Sequence, residues 1–253
     1  MAKAKQNEQT EKTRDEAALS KYLENAVVFT LFSYGTEPTL TVSEQIAARV
    51  AERIIQGKFE PGTPLREQDL ADEFEVSRGP VREAIRILER EGLAVILPRR
   101  GAVVTELSID EVREIFEIRT ALFELVHRKV FNDRNPQLLA VLKAGVGLLE
   151  TLSNLEDDAG KYAETSYRLS IIAVRACDNQ RLIRMITSLS FQTLRYSRLS
   201  LRSKERRQQS AQVWREATDA LERGDKPQYI KLVRRRIEES GTEAVRVLAE
   251  TSQ

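Results

Sequence analysis

The sequence predicts a mainly α-helical protein in two parts, an N-terminal winged helix-turn-helix with a small β-hairpin wing and an all-α helical bundle. Three helical patterns lie between residues 43 and 92, and two β-rich runs follow them around the turn PRRG. After residue 106 nearly every stretch has helical spacing. The same order of elements would fit a three-helix unit with another purpose, so the chemistry of the third helix has to decide.

The first 40 residues differ in composition from the rest of the chain. Residues 1–18 are polar and lack aromatic side chains, which is typical of disorder. An apolar pattern between Leu19 and about Tyr34 then indicates a short helix or strand. We expect residues 1–40 to be a flexible extension with a short docking element that pairs with the chain's own second domain.

The first two helices of the predicted winged domain, residues 41–106, are marked by their apolar faces. The first begins at Ser43 and ends at Gly57, a residue type common just past a helix terminus. A turn-rich connector, KFEPGTPL, leads to a short second helix. The apolar residues that we expect to face inward are Ile46, Val50, Ile54 and Ile55 on the first helix and Leu70, Ala71 and Phe74 on the second.

The third helix, within the stretch EVSRGPVREAIRILEREG, begins with two poor helix formers. With Ser77 as N-cap, Gly79 and Pro80 fall in the first turn, where backbone N–H groups have no intrahelical partner and proline is tolerated. They leave a positively polarised helix end that a phosphate can approach. Arg78 and Arg82 flank that end, and arginine donates two parallel hydrogen bonds to guanine or phosphate.

Basic charge is clustered locally although the chain as a whole has a formal net charge of only +1. Residues 77–101 carry six Lys and Arg against three Asp and Glu, so positive charge gathers on the third helix and the hairpin. We expect Arg78 and Arg82 to contact DNA. We expect Arg90, and Arg86 with it, to solvate an exposed face and to pair with neighbouring glutamates.

The remaining composition indicates a cytoplasmic protein that does not enter membranes. Cys177 is the single cysteine, which excludes an intramolecular disulfide and suits a reducing compartment. No run approaches the roughly 18 apolar residues that span a bilayer. The N-terminus lacks the short basic region and the cleavage site of a secretory signal.

Residues 65–104 resemble the DNA-binding domain of the GntR family of bacterial transcription regulators. The shared motif is L-x-E-x-x-L-A-x-x-x-x-V-S-R-x-P-V-R-E-A, followed by E-G-L and a basic wing that contains glycine. The resemblance implies DNA contacts from a recognition helix and a wing tip in the minor groove. With the helix end at Gly79 and Pro80, the residues expected at the DNA are Ser77, Arg78, Arg82, Arg100 and Gly101.

One position departs from the pattern of this family. The basic residue that many relatives carry two positions before the Leu-Ala pair is Gln68 here. We therefore expect a weaker phosphate contact from Gln68, or its replacement by Arg66.

The second half of the chain, residues 107–253, is predicted to form about six helices. The stretch SIDE forms a capping box between Ser108 and Glu111, at the start of a long helix. Its apolar stripe consists of Val112, Ile115, Phe116, Leu122, Phe123 and Val126. The later helical patterns cover residues 136–153, 158–177, 180–200, 208–222 and 226–250.

This half resembles the effector domain of the FadR-type subgroup, called the FCD domain. In many members that domain binds a small carboxylate beside a divalent metal held by one Asp and three His. The matching positions here are Ser166, Ser170, Trp214 and Arg236. Hydroxyls, an indole and a guanidinium do not form a transition-metal site, so we predict no metal and no cofactor. The single histidine, His127, is expected to be structural.

Arg119 lies inside the apolar stripe of the long helix, where an unpaired charge is costly. Its partner must be either a buried carboxylate of the protein or an anionic ligand. The resemblance favours the ligand, and Phe123, which replaces a glutamate of the family, indicates a more apolar pocket. The residues expected at a small anionic effector are Arg119, Ser166, Ser170, Trp214 and Arg236.

Together these features predict a ligand-responsive homodimeric repressor. One winged helix reads only half of a two-fold symmetric site, so a short palindromic operator requires a dimer. An architectural DNA-binding dimer without an effector is the alternative. An enzyme with a DNA-targeting module is a third reading, but the sequence has no Gly-rich phosphate loop and no convincing Ser-His-Asp or Cys-His set. We therefore expect no enzymatic activity.

Overall fold

The computed structural model describes residues 40–133, 135–156 and 159–251, so nearly all of the predicted N-terminal extension lies outside the described residues. None of the helices in these ranges has the length and hydropathy needed to cross a bilayer. The helices are α1 (Val42–Ile55), α2 (Glu67–Glu73), α3 (Arg78–Arg90), α4 (Ile109–Asp133), α5 (Pro136–Ser153), α6 (Ala159–Arg175), α7 (Gln180–Leu199), α8 (Lys204–Arg223) and α9 (Lys226–Thr251). The strands are β1 (Pro64–Leu65), β2 (Ala94–Leu97) and β3 (Gly101–Val104).

The helices α1, α2 and α3 pack around one apolar core. α1 begins with a reciprocal capping box, in which the Thr41 hydroxyl accepts from the Glu44 N–H and the Glu44 carboxylate accepts from the Thr41 N–H. The chain leaves α1 through Gly57, whose φ of +76° is a left-handed conformation that favours glycine. Every residue expected to face inward is buried, except that Phe74 is only partly buried.

The sheet contains three strands within the described residues, not the two of the predicted hairpin. β1 and β2 each pair antiparallel with β3, in the order β1-β3-β2. The predicted hairpin is present as β2 and β3. The additional strand β1 was not predicted, because Pro64 and Leu65 are too few to show an alternating pattern. Pro64 begins its strand at the sheet edge, where a missing N–H is tolerated. The segment KFEPGTPL between α1 and α2 therefore contributes a strand that pairs with the wing strand β3.

The wing tip is a tight turn between β2 and β3. The Arg100 N–H donates to the Leu97 carbonyl at 3.1 Å, with Pro98 and Arg99 between them. Arg99 has a φ of +64°, as the second central position of a type II turn requires. The tip is exposed, so both arginines extend from the domain into solvent.

The helices α4 to α9 form a bundle with a core of its own. The capping box at the start of α4 is confirmed, because Glu111 Oε2 accepts from the Ser108 N–H at 2.8 Å and the Glu111 N–H donates back to Ser108 Oγ at 3.2 Å. The later helices agree with the predicted ranges to within a few residues, and α8 starts four residues earlier than predicted.

An arginine on α8 is fully buried and joins two other helix ends. Arg207 is 1% exposed and donates to the carbonyl oxygens of Leu155 and Glu156 beyond α5, and of Leu201 and Arg202 beyond α7. Carbonyl groups at a helix C-terminus lack intrahelical donors and carry partial negative charge. Arg207 therefore has a structural role.

The helix α7 contributes to both parts of the molecule. Phe191 and Leu194 on α7, with Tyr167 on α6, pack into the core of the winged domain. Arg195 Nη1 also donates to the Phe59 carbonyl at 3.1 Å. The winged domain therefore rests on a helix that belongs to the bundle.

Candidate DNA interface and effector cavity

The N-terminal end of α3 is open to solvent. Ser77 is the N-cap residue, but its side chain makes no capping hydrogen bond. Within the described residues, the backbone N–H groups of Arg78 and Gly79 have no acceptor. No atom lies within 4 Å of the position that a Cβ on Gly79 would take. A phosphate oxygen can therefore approach these two N–H groups closely.

Arg78 and Arg82 both bind the carboxylate of Glu67 at the start of α2. Arg78 donates to Oε2 from Nη2 at 2.9 Å and from Nε at 3.3 Å. Arg82 donates from Nη2 to Oε2 and from Nε to Oε1, each at 3.0 Å. The arginine side chains are 58% and 56% exposed, against 27% for Glu67. The hydrogen bonds from Arg82 and then from Arg78 lower the pKa of Glu67 to about 2, so it is ionised at neutral pH.

Glu67 is a site residue that the sequence analysis missed. It precedes Arg78 by eleven residues and lies on another helix, so no helical spacing connects the two. The sequence indicated Glu67 only as the glutamate of L-x-E in the family motif. That position alone does not show which side chains the carboxylate contacts. Only the packing of α2 against α3 brings the carboxylate to the arginines.

The other two arginines of α3 have nearer partners. Arg86 pairs with Glu83 at 3.6 Å, and Arg90 pairs with Glu91 at 3.2 Å. The Arg86–Glu83 pair agrees with the expectation of a solvated helix face, whereas the Glu91 side chain that pairs with the exposed Arg90 is itself buried.

The remaining candidate DNA contacts lie on α2 and on the wing. Arg66 is the N-cap residue of α2 and is exposed, whereas Gln68 donates to Asp72 at 2.8 Å. Arg100 and Gly101 lie at the exposed tip of the wing. All nine candidate residues are thus exposed or half-buried, including those at the open end of α3.

A cavity of about 60 Å³ lies within the helical bundle. Four of the five residues expected at an effector line it, namely Arg119, Ser166, Ser170 and Arg236. The fifth, Trp214, lies behind Arg236, with its ring centre 3.7 Å from the guanidinium carbon. The structure thus brings together residues that are up to 117 positions apart in the sequence.

Arg119 is buried without a carboxylate partner among the described residues. Its Nη1 donates to Thr193 Oγ1 at 2.7 Å, and its Nε has no acceptor. The guanidinium carbon lies 4.8 Å from the ring centre of Phe116 and 5.6 Å from that of Phe123. Burial lowers the pKa of Arg119 to about 10, so the side chain remains charged at neutral pH. Of the two partners expected for it, a protein carboxylate is not found in the described residues.

Arg236 is the second buried cation of the cavity. Its Nη1 donates to Ser170 Oγ at 2.8 Å, and its Nη2 has no acceptor among the described residues. Burial, together with the positive charge of Arg119, lowers the pKa of Arg236 to about 10. Two like charges therefore share one cavity, and an anion between them would be stabilised by both.

The residues at the four family metal positions are hydrogen bonded to one another. Ser170 Oγ donates to the Ser166 carbonyl at 2.9 Å while it accepts from Arg236, and Trp214 Nε1 donates to Ser166 Oγ at 3.0 Å. A divalent metal does not fit this set, because the guanidinium is cationic and the indole has only a donor. Within the described ranges no group of three or more His, Cys, Asp and Glu side chains could hold a metal ion.

His127 is buried behind the cavity. Its Nδ1 is hydrogen bonded to the Tyr229 hydroxyl, and its ring stacks on Phe123. Burial, and then the charge of Arg236, lowers the pKa of His127 to about 3, so the imidazole is neutral at physiological pH. These contacts support the expected structural role.

Several residues of the cavity had no signal in the sequence. The Tyr167 hydroxyl is buried without a partner among the described residues, and burial raises its pKa, so it remains a donor. Arg206 and Glu239 also line the cavity and form an ion pair at 3.2 Å. These residues come from three helices, and no shared motif links them.

The fold and the two sites define a class of two-part regulator, with a winged helix for DNA and a helical bundle around a small cationic cavity. Residues 42–104 match the family described as bacterial regulatory proteins, gntR family, and residues 114–239 match the FCD domain. The chain belongs to the GntR family of bacterial regulatory proteins and carries an FCD domain. The prediction that it is not an enzyme is confirmed by these matches.

Individual relatives share parts of the chain. It is 42% identical over 86 residues to the gluconate operon transcriptional repressor of Bacillus licheniformis, covering 34% of this chain and 35% of that one. It is 28% identical over 186 residues to the probable D-xylose utilization operon transcriptional repressor of Paenarthrobacter nicotinovorans, covering 73% and 80%. The solved structure of E. coli McbR/YncC shares the fold, with a TM-score of 0.70 at 18% identity over 85% of this chain and 100% of that chain. The chain spans between 35% and 55% of the length of the first curated relatives that it matches.

Proposed function

We propose that this chain is a transcriptional repressor that binds a palindromic DNA operator as a homodimer and responds to a small organic anion without a metal. The observation that carries the proposal is the open N-terminal end of α3, flanked by Arg78 and Arg82. An operator on the chromosome is the partner that this surface fits, which would make the cytoplasm the place of action.

On DNA, α3 acts as the recognition helix. Its open N-terminus meets a backbone phosphate through the Gly79 N–H, while Arg78 and Arg82 reach base edges in the major groove. The wing, with Arg99 and Arg100 at its exposed tip, lies in the adjacent minor groove. Two copies related by a two-fold axis would then read the two halves of a palindrome.

The DNA assignment is tested by removing one arginine. The operator is a sequence that the wild-type protein enriches from a pool of random duplexes, and the reference is a shuffled duplex of the same composition. Arg78→Ala should weaken operator binding roughly tenfold. It should also reduce the slope of log affinity against log salt by about one if Arg78 neutralises a phosphate.

The matched control is Arg53→Ala. Arg53 is also in an ion pair with a glutamate of α2, Glu73, but on α1. Its loss should leave operator binding unchanged. Unchanged affinity of Arg78→Ala for both operator and shuffled duplex would rule out the proposed role of α3.

The cavity fits a small carboxylate. Four buried donors on residues that line the cavity lack acceptors among the described residues: Arg119 Nε, Arg206 Nε, Arg236 Nη2 and the Tyr167 hydroxyl. A buried donor without an acceptor destabilises the fold, and a carboxylate can accept several hydrogen bonds at once. The cavity of about 60 Å³ suits the carboxyl end of a ligand rather than a large molecule.

The cavity also touches the helix that supports the winged domain. Arg119 donates to Thr193 on α7, and the adjacent Leu194 both lines the cavity and packs into the core of the winged domain. A ligand that draws Arg119 away from Thr193 would therefore act directly on α7. This contact gives the anion a physical route to the DNA-binding part.

The effector assignment is tested by thermal unfolding across a panel of organic acids and acyl thioesters. A ligand at a hundred times its Kd should stabilise the wild-type protein by about 2.7 kcal/mol. Arg236→Met should abolish that shift, and Arg223→Met, on the exposed end of α8, should not. If no compound shifts the unfolding temperature or changes operator affinity, the architectural alternative is correct.

The homodimer is proposed to form through an exposed face of α4. Ile118 and Leu125 are 49% and 46% exposed and lie two turns apart, with Ala121 between them. Glu114 precedes this apolar stretch by four residues and Lys129 follows it by four. Neither charge has an ion-pair partner among the described residues. Two antiparallel copies of α4 would therefore pack Ile118 on Leu125 and pair Glu114 with Lys129.

Sedimentation equilibrium tests this face. Glu114→Lys should weaken self-association at least about tenfold, because it places like charges opposite each other. Adding Lys129→Glu in the same chain should restore the dimer, since residue 114 of each copy then lies opposite a residue 129 of opposite charge again. Equal self-association of the single variant, the double variant and the wild type would exclude this face.

A further inference from the structure

Glu67 holds the same edge of both arginines at the end of α3. In Arg78 and in Arg82, the donors to its carboxylate are Nε and Nη2. Two guanidinium groups are thus fixed by one carboxylate at separations of 2.9 to 3.3 Å. An exposed arginine without such a partner samples many rotamers, and ordering it on binding is unfavourable.

The opposite edge of each guanidinium remains available. A guanidinium has five N–H groups, and Glu67 uses the one on Nε and one of the two on Nη2. The Nη1 groups of Arg78 and Arg82 have no acceptor among the described residues. The remaining edge, Nη1 with the second N–H of Nη2, presents two parallel donors. This arrangement matches the O6 and N7 acceptors of guanine.

We propose that Glu67 is a positioning residue that sets the base specificity of α3. It holds Arg78 and Arg82 so that their Nη1–Nη2 edges face the DNA. Its negative charge also lowers the net charge of the three side chains from +2 to +1. The lost charge lowers attraction to any phosphate, and the fixed geometry favours the correct base. This inference rests on the proposed role of α3 in reading DNA.

Two substitutions separate charge from geometry. Glu67→Gln removes the charge and leaves one acceptor oxygen for two arginines. Glu67→Asp keeps the charge but shortens the side chain, so it cannot reach both guanidinium groups as Glu67 does. Glu73→Gln is the matched control, because Glu73 is another α2 glutamate in an ion pair with an arginine, Arg53.

The measurement is the ratio of affinities for the enriched operator and for the shuffled duplex, at several salt concentrations. For Glu67→Gln we expect tighter binding to the shuffled duplex and a ratio that falls roughly tenfold. For Glu67→Asp we expect unchanged binding to the shuffled duplex and a ratio that falls at least about threefold. Glu73→Gln should leave both affinities unchanged. Circular dichroism and thermal unfolding confirm that each variant is folded.

The outcomes are distinct. If both folded Glu67 variants keep the wild-type ratio within about twofold, Glu67 is only a surface ion pair. If Glu67→Gln strengthens binding to both duplexes by the same factor, Glu67 acts through charge alone and the positioning role is wrong. If the wild-type protein enriches no sequence, the proposed function fails and this inference fails with it. If the wild type enriches a sequence and Arg78→Ala binds it weakly, the proposed role of α3 is retained. A negative result with the Glu67 variants then excludes only the positioning role of Glu67.

Discussion

Two pairs of arginines in this protein occupy opposite environments. Arg78 and Arg82 are exposed and share one carboxylate, whereas Arg119 and Arg236 are buried among hydroxyls and aromatic rings. An exposed arginine keeps most of its hydration, and its ion pair contributes little to stability. A buried arginine loses its hydration and needs compensation from its surroundings. The exposed pair is thus suited to a partner as large as DNA, and the buried pair to a ligand small enough to enter the fold.

A third environment shows how the same side chain behaves when its role is purely structural. Arg207 is as buried as the cavity arginines, but it reaches four backbone carbonyl oxygens at two helix ends. Arg119 and Arg236 each make one hydrogen bond to a hydroxyl. Burial alone therefore does not identify a ligand site, and neither does one unused donor, since all three arginines have a buried N–H without an acceptor among the described residues. What distinguishes Arg119 and Arg236 is that both line a cavity.

Replacement of Arg207 gives the largest expected effect. Arg207→Met fills a similar volume but leaves carbonyl groups at the ends of α5 and α7 without donors. We expect the free energy of unfolding to fall by about 3 kcal/mol. Chemical denaturation with urea measures it. Arg202→Met, at an exposed position nearby, should change it by less than about 0.5 kcal/mol. Equal stability of the two variants would contradict the structural role of Arg207.

The pH dependence of stability gives the next largest effect. The folded protein keeps His127 neutral, with a pKa lowered to about 3, whereas the unfolded chain binds a proton below about pH 6.5. The unfolded state binds more protons in this range, so stability falls as the pH falls. Between pH 7 and pH 5 we expect a loss of about 2 kcal/mol.

The matched variant isolates this contribution, because carboxylates begin to titrate near the lower limit. His127→Gln removes the only histidine of the sequence. Urea denaturation at pH 7, 6 and 5 should show a clearly smaller pH dependence in this variant. Parallel curves for variant and wild type would mean that the environment of His127 does not exclude a proton.

Removal of a cavity arginine should have an effect of opposite sign to that of Arg207. Arg236→Met replaces a buried charge by an apolar side chain of similar length that can still pack on Trp214. Such replacements are often neutral or stabilising, and we expect a gain of about 1 kcal/mol in the free energy of unfolding. The same variant should lose its response to organic acids. Destabilisation by several kcal/mol would instead show that Arg236 is part of the structural framework.

The fold could be predicted from the sequence to the extent that it depends on local patterns. Helical spacing, the capping box at Ser108 and the glycine at position 57 all act within a few residues, and each predicted its element. β1 was missed because it consists of two residues whose pairing with β3 is decided by the tertiary fold. Short strands of this kind have no local signal.

The candidate sites show the same limit at the level of side chains. Arg119 was recognisable because a charge inside an apolar helix face is anomalous in any sequence. Glu67, Thr193 and Tyr167 were not, since glutamate on an exposed helix and threonine or tyrosine in a core are ordinary. Their roles depend on which helices pack together, so only the assembled structure could connect them with the arginines.

The smallest expected effect belongs to Arg86, on the same helix as the exposed pair. Arg86 pairs with Glu83 at 3.6 Å, and both side chains are well exposed. Such a pair contributes little to stability, and Arg86→Ala should change operator affinity by less than about twofold. Arg82→Ala, one turn closer to the open end of α3, should weaken it roughly tenfold. Fluorescence anisotropy with the enriched operator measures both variants. Similar losses of affinity in the two variants would mean that Arg86 contacts the DNA as Arg82 does. The distinction between the two arginines would then be wrong.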